Sequence, residues 1–199
     1  FGKKWIPFGD SFTDYTNKTF SSGAYSGQMA SYPRLIAERN GMTIDQNFFR
    51  SGRTLAYPAD GTFTNSATCP TNTGYFQNIP EDADYITIML GINDLNHQSG
   101  SGTSPDGEDQ TGVITLGTID DETTATYYGA WNTMLSWIRA NRPFAHVGII
   151  ITNGTQSQDF TEAQIAEAKK WGFPYLNLNG DERTPAFIRC YNPNLPYAL

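Results

Sequence analysis

The segment 85–90 constrains the fold of this chain more than any other part of the sequence. It reads YITIML, which is β-branched and almost continuously apolar. Such a run predicts a strand that is buried on both faces. Strands of this kind occur in parallel sheets that are covered by helices, so the segment predicts an α/β fold.

Strand-like and helix-like segments alternate along the rest of the chain. We predict strands at residues 4–8, 42–49, 85–90, 147–152 and 175–178, and helices at 32–39, 124–141 and 162–171. Asn40 and Gly41 are a stop signal for the first helix. Strands separated by helices form right-handed parallel units, and no linker is visible. We therefore expect one domain with a sheet between two helical layers.

Two long insertions interrupt this alternation: 53–80, rich in Gly, Pro, Asn and Thr, and 95–121, rich in Gly, Ser, Thr and Asp. The first is too long to be a simple connector. The polar character of both insertions, with tyrosines between 57 and 75 in the first, suits a cleft that faces a sugar.

Charge and hydropathy exclude two classes of partner. The net charge is −7 and no basic stripe is present, which argues against nucleic acid. The longest apolar run, 147–151, is far too short to span a membrane. The two cysteines, Cys69 and Cys190, fit either separate thiols or a disulfide, and the sequence does not decide between them.

Three turns of small residues follow the first three predicted strands. They contain Ser11 in Gly-Asp-Ser, Gly52 in Ser-Gly, and Asn93 in Gly-Ile-Asn-Asp. Each motif alone fits a structural role, such as a helix N-cap or a turn. Because the carboxyl ends of parallel strands meet at one edge of the sheet, the three turns together predict a site.

The three residues offer the groups that acyl transfer needs. Ser11 lies on a turn between a strand and a predicted helix, which exposes its hydroxyl near a helix N-terminus. The backbone N–H groups of Ser11 and Gly52 and the side-chain amide of Asn93 are donors suited to a developing oxyanion. We therefore predict Ser11, Gly52 and Asn93 as the catalytic residues.

These motifs, in this order and spacing, resemble the first three blocks of the SGNH/GDSL hydrolases. The resemblance implies a three-layer α/β/α flavodoxin-like fold with a five-stranded parallel sheet in the order 2-1-3-4-5. It also implies that Ser11 is the nucleophile and that Ser11, Gly52 and Asn93 form the oxyanion hole. Residues 116–130 are similar to SGNH domains of bacterial and phage surface proteins, which implies an extracellular, cell-surface or virion-associated protein.

The chain departs from the family at the general base, a His in an Asp-x-x-His block after the fifth strand. His146 begins the fourth strand and faces the edge opposite Ser11. His97 has the right spacing after Asp94, but it would have to fold back over the oxyanion hole, so we regard the spacing as coincidence. We expect the His and Asp in a C-terminal segment beyond Leu199, together with a closing helix, so that 1–199 is one domain lacking that segment.

The expected function is hydrolysis of an ester through an acyl-enzyme, without a cofactor. The family's surface members often act on acylated glycans, which implies removal of acetyl or another short acyl group from a carbohydrate. The alternative is a non-catalytic glycan-binding module on the same fold. A Mg²⁺ pocket at Asp10, Asp14 and Asp94 is disfavoured because no phosphate-binding motif accompanies it.

Overall fold

The computed structural model describes residues 2–14, 19–20, 27–28, 31–58, 63–98, 102–103, 109–110, 112–151 and 157–178. The main strands are β1 (Lys4–Gly9), β2 (Thr43–Ile44), β3 (Tyr85–Met89), β4 (His146–Ile151) and β5 (Tyr175–Asn177). The α-helices are α1 (Tyr32–Asn40), α2 (Ile92–Asn96), α3 (Tyr127–Asn141) and α4 (Gln158–Trp171). Short 3₁₀ helices cover Gln46–Phe48 and Phe76–Asn78, and two small ladders pair Thr19–Phe20 with Gly27–Gln28 and Gly102–Thr103 with Asp109–Gln110.

The five main strands form one parallel sheet in the order β2-β1-β3-β4-β5. This confirms the predicted order 2-1-3-4-5 and the α/β class. The register places Ile6 beside Ile86, and Ile86 beside Val147. The central strand β3 has parallel partners on both sides, as its apolar sequence predicts.

The two faces of the sheet carry different helices. On one face, Trp5 of β1 lies against Tyr32 of α1, with ring centroids 6.2 Å apart, and donates to Thr87 Oγ1 at 3.0 Å. The alternate side chains of β1 and β3, including Ile6 and Ile86, are fully buried in the core on the other face. The helices α3 and α4 supply that core, which gives the predicted three layers.

The core beneath α3 and α4 is held by aromatic contacts and one long hydrogen bond. The rings of Tyr127 in α3 and Phe160 in α4 are 4.5 Å apart. Gln164 Nε2 of α4 donates to Leu90 O, just after β3, at 2.6 Å. This contact fixes the end of β3, from which the third predicted turn emerges.

The face that carries α1 is less completely covered over β4 and β5. Leu176 of β5 is 42% exposed, and Ile150 of β4 is only partly buried. A Cβ added at Gly148 of β4 would meet no atom within 4 Å. Within the described ranges, this is the part of the sheet with the most open apolar surface.

Three predicted elements have a boundary that is wrong by three residues or more, because a side chain caps the backbone there: the second strand, α3 and α4. The second strand was predicted over 42–49 but spans only Thr43–Ile44, since the Asp45 side chain accepts from Asn47 N and starts a 3₁₀ turn. Thr126 caps α3, which begins at Tyr127, three residues after its predicted start. Ser157 caps α4, which begins at Gln158, four residues before its predicted start. Gly41, with φ 61°, ends α1 as predicted.

The described residues of the insertion, 53–58 and 63–80, are largely packed against the core, although their composition suggests an open polar loop. They include fully buried side chains of Leu55, Phe63 and Phe76. Cys69 is buried with them, and Cys190 lies outside the described residues, so the choice between separate thiols and a disulfide stays open. No described helix has the length and apolar character that crossing a membrane requires. The extent of the domain, 1–199, stays a prediction.

Candidate active site

Ser11 lies directly after the carboxyl end of β1, on a single tight turn. The N–H groups of Thr13 and Asp14 both donate to Asp10 O, at 3.0 and 2.9 Å. Gly9 is required there, because a Cβ would lie 1.9 Å from Thr13 Oγ1. The next described α-helix begins at Tyr32, as predicted, and its first residue contacts the Ser11 turn, with Tyr32 Oη 3.3 Å from Thr13 Oγ1.

Gly52 lies on a second turn that is tied to the first. Arg50 N donates to Gly9 O at 3.1 Å, and Ser51 N donates to Asp14 Oδ2 at 2.9 Å. Gly52 has φ 79°, in the left-handed region that favours glycine. In the described part of the chain, the N–H groups of Ser11 and Gly52 have no hydrogen-bond acceptor, so both can donate to a ligand.

Asn93 lies in the first turn of α2 and connects to the Gly52 turn. Its Nδ2 donates to Arg53 O at 2.9 Å, which leaves a second amide hydrogen for a ligand. Both Asn93 and Ser11 are partly exposed. The structure thus brings the turns of Ser11, Gly52 and Asn93 to one edge of the sheet, as the sequence predicts.

Asp94 is fully buried beside the three turns and connects two of them. Its carboxylate accepts from Leu55 N at 2.9 Å and from Ala56 N at 2.8 Å. Burial raises the pKa of Asp94 to about 6, although these backbone bonds act to lower it. The carboxylate holds the chain just after Gly52 against α2.

Asp10, next to Ser11, is a buried titratable group, whereas from the sequence we considered it only as a disfavoured ligand for Mg²⁺. It is fully buried, and its Oδ1 accepts from Phe12 N at 2.9 Å. Its Oδ2 has no hydrogen-bond partner among the described residues. Burial raises the pKa of Asp10 to about 7, and the nearby charge of Asp94 adds to this. The described residues contain no cluster of metal-binding side chains at these acids or elsewhere.

These two carboxyls predict that the folded protein loses stability as the pH rises. The folded chain keeps their protons at pH values where the unfolded chain, with an Asp pKa of 3.8, has lost them. The free energy of unfolding should therefore fall by up to about 1.4 kcal/mol per pH unit for each group, between about pH 4 and pH 7 for Asp10 and between about pH 4 and pH 6 for Asp94.

Asp10→Asn tests this prediction by urea unfolding at about pH 5 and about pH 8. The variant should show a smaller loss of stability between the two pH values than the parent protein. Glu81→Gln, at an exposed position, is the control and should keep the parent's dependence. An unchanged pH dependence in Asp10→Asn would show that Asp10 is not the titrating group.

The two histidines occupy different places. His146 begins β4, at the amino edge of the sheet, and its exposed ring stacks on Tyr85 at 5.3 Å, which agrees with its predicted position away from Ser11. His97 ends α2, is 6% exposed, and packs edge-to-face on Phe63 at 4.5 Å. No hydrogen bond joins His97 to Ser11 in the described ranges.

Comparison with known proteins adds a sequence match and a fold match. The sequence profile of the GDSL-like lipase/acylhydrolase family matches residues 8–188. The span includes all three predicted site residues. The comparison with curated protein sequences finds no match.

Solved structures share the fold at low sequence identity. A protein from Lactobacillus plantarum has a TM-score of 0.64 and 21% identity, over 89% of this chain and 77% of its own. A candidate GDSL-like lipase from Bacteroides ovatus has a TM-score of 0.60 and 16% identity, over 90% and 86%. An acetyl xylan esterase, Est2A, from Butyrivibrio proteoclasticus has a TM-score of 0.56 and 16% identity, over 92% of this chain but only 57% of its own.

Proposed function

The chain belongs to the GDSL-like lipase/acylhydrolase family, and on that premise we propose that it is a serine ester hydrolase that acts through an acyl-enzyme. The observation that carries the proposal is the convergence of a serine hydroxyl and three donors at one edge of the sheet. Two of the donors are backbone N–H groups without a partner in the described residues, and the third is the remaining amide hydrogen of Asn93.

The proposed reaction has two stages. Ser11 Oγ attacks the ester carbonyl carbon and gives its proton to a base, while the carbonyl oxygen becomes an oxyanion that accepts from Ser11 N, Gly52 N and Asn93 Nδ2. The ester's alcohol leaves with a proton from the base. Water then attacks the acyl-enzyme by the same route and releases the acid.

We propose that a histidine and an aspartate from a segment C-terminal to Leu199 complete the site. Neither histidine of the 199 residues is hydrogen-bonded to Ser11 among the described residues, and a serine needs a base at neutral pH. The open apolar surface around Leu176 and Ile150 offers a place for a closing helix of such a segment.

For the substrate, we propose an acetyl or other short acyl ester of a carbohydrate. The acetyl xylan esterase with the same fold supports this class.

We also propose an extracellular, cell-surface or virion-associated location, which the resemblance of residues 116–130 to surface-protein domains supports.

A panel of esters tests the substrate class. The protein, expressed from its full gene, is incubated with acetylated xylan and with p-nitrophenyl acetate, butyrate and palmitate. We expect release of acetate from the glycan, and faster cleavage of the acetyl than of the palmitoyl ester. Preference for palmitate would contradict the carbohydrate proposal. Glycan binding without cleavage of any ester would favour the non-catalytic binding module.

A further inference from the structure

Arg53 follows Gly52 directly and is an unusual buried cation. Its side chain is only 1% exposed, and no carboxylate lies within ion-pair distance of it in the described ranges. Burial, and then the neighbouring Arg50, lower the pKa of Arg53 to about 10, although the charge of Asp14 acts to raise it, so the guanidinium is still charged at neutral pH. Burying a charge without an ion-pair partner is costly, and groups that carry such a cost concentrate at functional sites.

Neutral oxygens from three separate segments hold the guanidinium. Nη2 donates to Asn72 Oδ1 at 2.9 Å, Nη1 to Asn47 O at 3.2 Å, and Nε to Asn65 Oδ1 at 3.3 Å. Asn65 in turn donates from Nδ2 to Ser51 O at 2.9 Å. The side chain of Arg53 therefore anchors the turn that presents Gly52.

The chain leaves room for this group at Gly74. A Cβ at that position would lie 2.3 Å from Arg53 Nη1 and 2.1 Å from Asn47 O. Gly74 does not have a positive φ, so the glycine is explained by the space that Asn47 O and the guanidinium occupy rather than by the backbone conformation.

The main chain of Arg53 connects two of the three oxyanion donors. Its N–H donates to Arg50 O at 3.1 Å and closes the turn around Gly52. Its carbonyl oxygen accepts from Asn93 Nδ2 at 2.9 Å and so sets the direction of that amide. A shift of this one residue would move both donors relative to Ser11.

We propose that Arg53 is a positioning residue for the oxyanion hole: its buried guanidinium fixes the Gly52 turn and the carbonyl that orients Asn93. This inference rests on the proposed ester hydrolysis. It predicts that removing the contacts of Arg53 lowers kcat more than it raises KM, because the donors stabilise the oxyanion of the transition state.

The first test is Arg53→Met, assayed with p-nitrophenyl acetate in the protein expressed from its full gene. We expect kcat to fall about 10²-fold with KM changed less than about 3-fold. Arg142→Met is the matched control, since Arg142 also donates to backbone carbonyls, those of Ile79 and Asn141, far from Ser11. Combined with Asn93→Ala, Arg53→Met should cause a smaller loss than it causes alone, because only the Gly52 donor is then left to displace. An unchanged kcat, or losses that multiply in the double variant, would overturn the inference.

A second variant covers the case in which Arg53→Met does not fold. Gly74→Ala keeps the guanidinium but places a methyl group against it and against its acceptor Asn47 O, and we expect kcat to fall about 10-fold with a small change in KM. Gly172→Ala, at the C-terminal end of α4, is the control: its added Cβ meets nothing within 4 Å, its cost is confined to the local backbone, and it should keep the parent's kcat. Parent-like kcat in a folded Gly74→Ala variant would contradict the proposal.

A structural measurement separates this inference from the proposed function. If the parent protein cleaves no ester, the proposed function fails, and crystal structures of the parent and Gly74→Ala still test Arg53. The inference expects the bond of 2.9 Å between Asn93 Nδ2 and Arg53 O to lengthen or break in the variant. An unchanged bond and an unchanged Gly52 turn would overturn it.

Discussion

Ser11→Ala should reduce ester hydrolysis at least about 10⁴-fold, to the level of the uncatalysed reaction plus any residual effect of the oxyanion donors. The loss should appear in kcat, because the variant removes the only atom that forms the acyl-enzyme. The hydroxyl is partly exposed at the carboxyl end of β1, so its removal should leave the free energy of unfolding nearly unchanged. Release of p-nitrophenol and urea unfolding measure the two quantities.

Ser136→Ala is the matched control for this variant. Ser136 is partly exposed, as Ser11 is, and its hydroxyl donates to Thr133 O at 3.1 Å within α3, a helix that carries none of the predicted site residues. It should keep the parent's kcat. Full turnover in Ser11→Ala would show that another group is the nucleophile.

Asn93→Ala should have the second-largest effect, lowering kcat about 10²- to 10³-fold with little change in KM. Removal of a single oxyanion donor lowers kcat by about this factor in other hydrolases, because the donor's hydrogen bond strengthens as charge develops on the oxygen. The variant also loses the bond from Asn93 Nδ2 to Arg53 O, which should cost about 1 kcal/mol of stability. Steady-state kinetics at several ester concentrations separate kcat from KM.

Asn141→Ala controls for the loss of a side-chain amide. Asn141 Nδ2 donates to Trp137 O at 2.9 Å, at the end of α3, and is exposed. This control should match the parent in kcat. If Asn93→Ala raised KM with kcat unchanged, Asn93 would bind the ground state rather than the oxyanion.

The site was predictable from sequence where local composition and topology together decide the structure. The apolar run 85–90 identified β3, and Gly41 marked the end of α1. Since the carboxyl ends of parallel strands lie at one edge of the sheet, the sequence predicts that the turns of Ser11, Gly52 and Asn93 lie close together.

Other features depend on contacts between residues that are distant in sequence, so the local sequence does not predict them. The composition of 53–80 suggests a polar loop, yet Phe63 and Phe76 bury themselves against the core. The raised pKa of Asp10 follows from burial, which the Gly-Asp-Ser motif does not reveal. Arg53 reads as a solvated loop residue until the structure shows its neutral partners and the space at Gly74.

The most direct test of the central claim is covalent labelling with a fluorophosphonate probe, which reacts with an activated serine and mimics the tetrahedral oxyanion. Peptide mass spectrometry of the labelled protein, expressed from its full gene, identifies the modified residue. Our account predicts a single adduct on Ser11, slower labelling in Asn93→Ala, and none in Ser11→Ala. An adduct on any other residue, or no adduct in a folded protein, would contradict the assignment of Ser11 as the nucleophile.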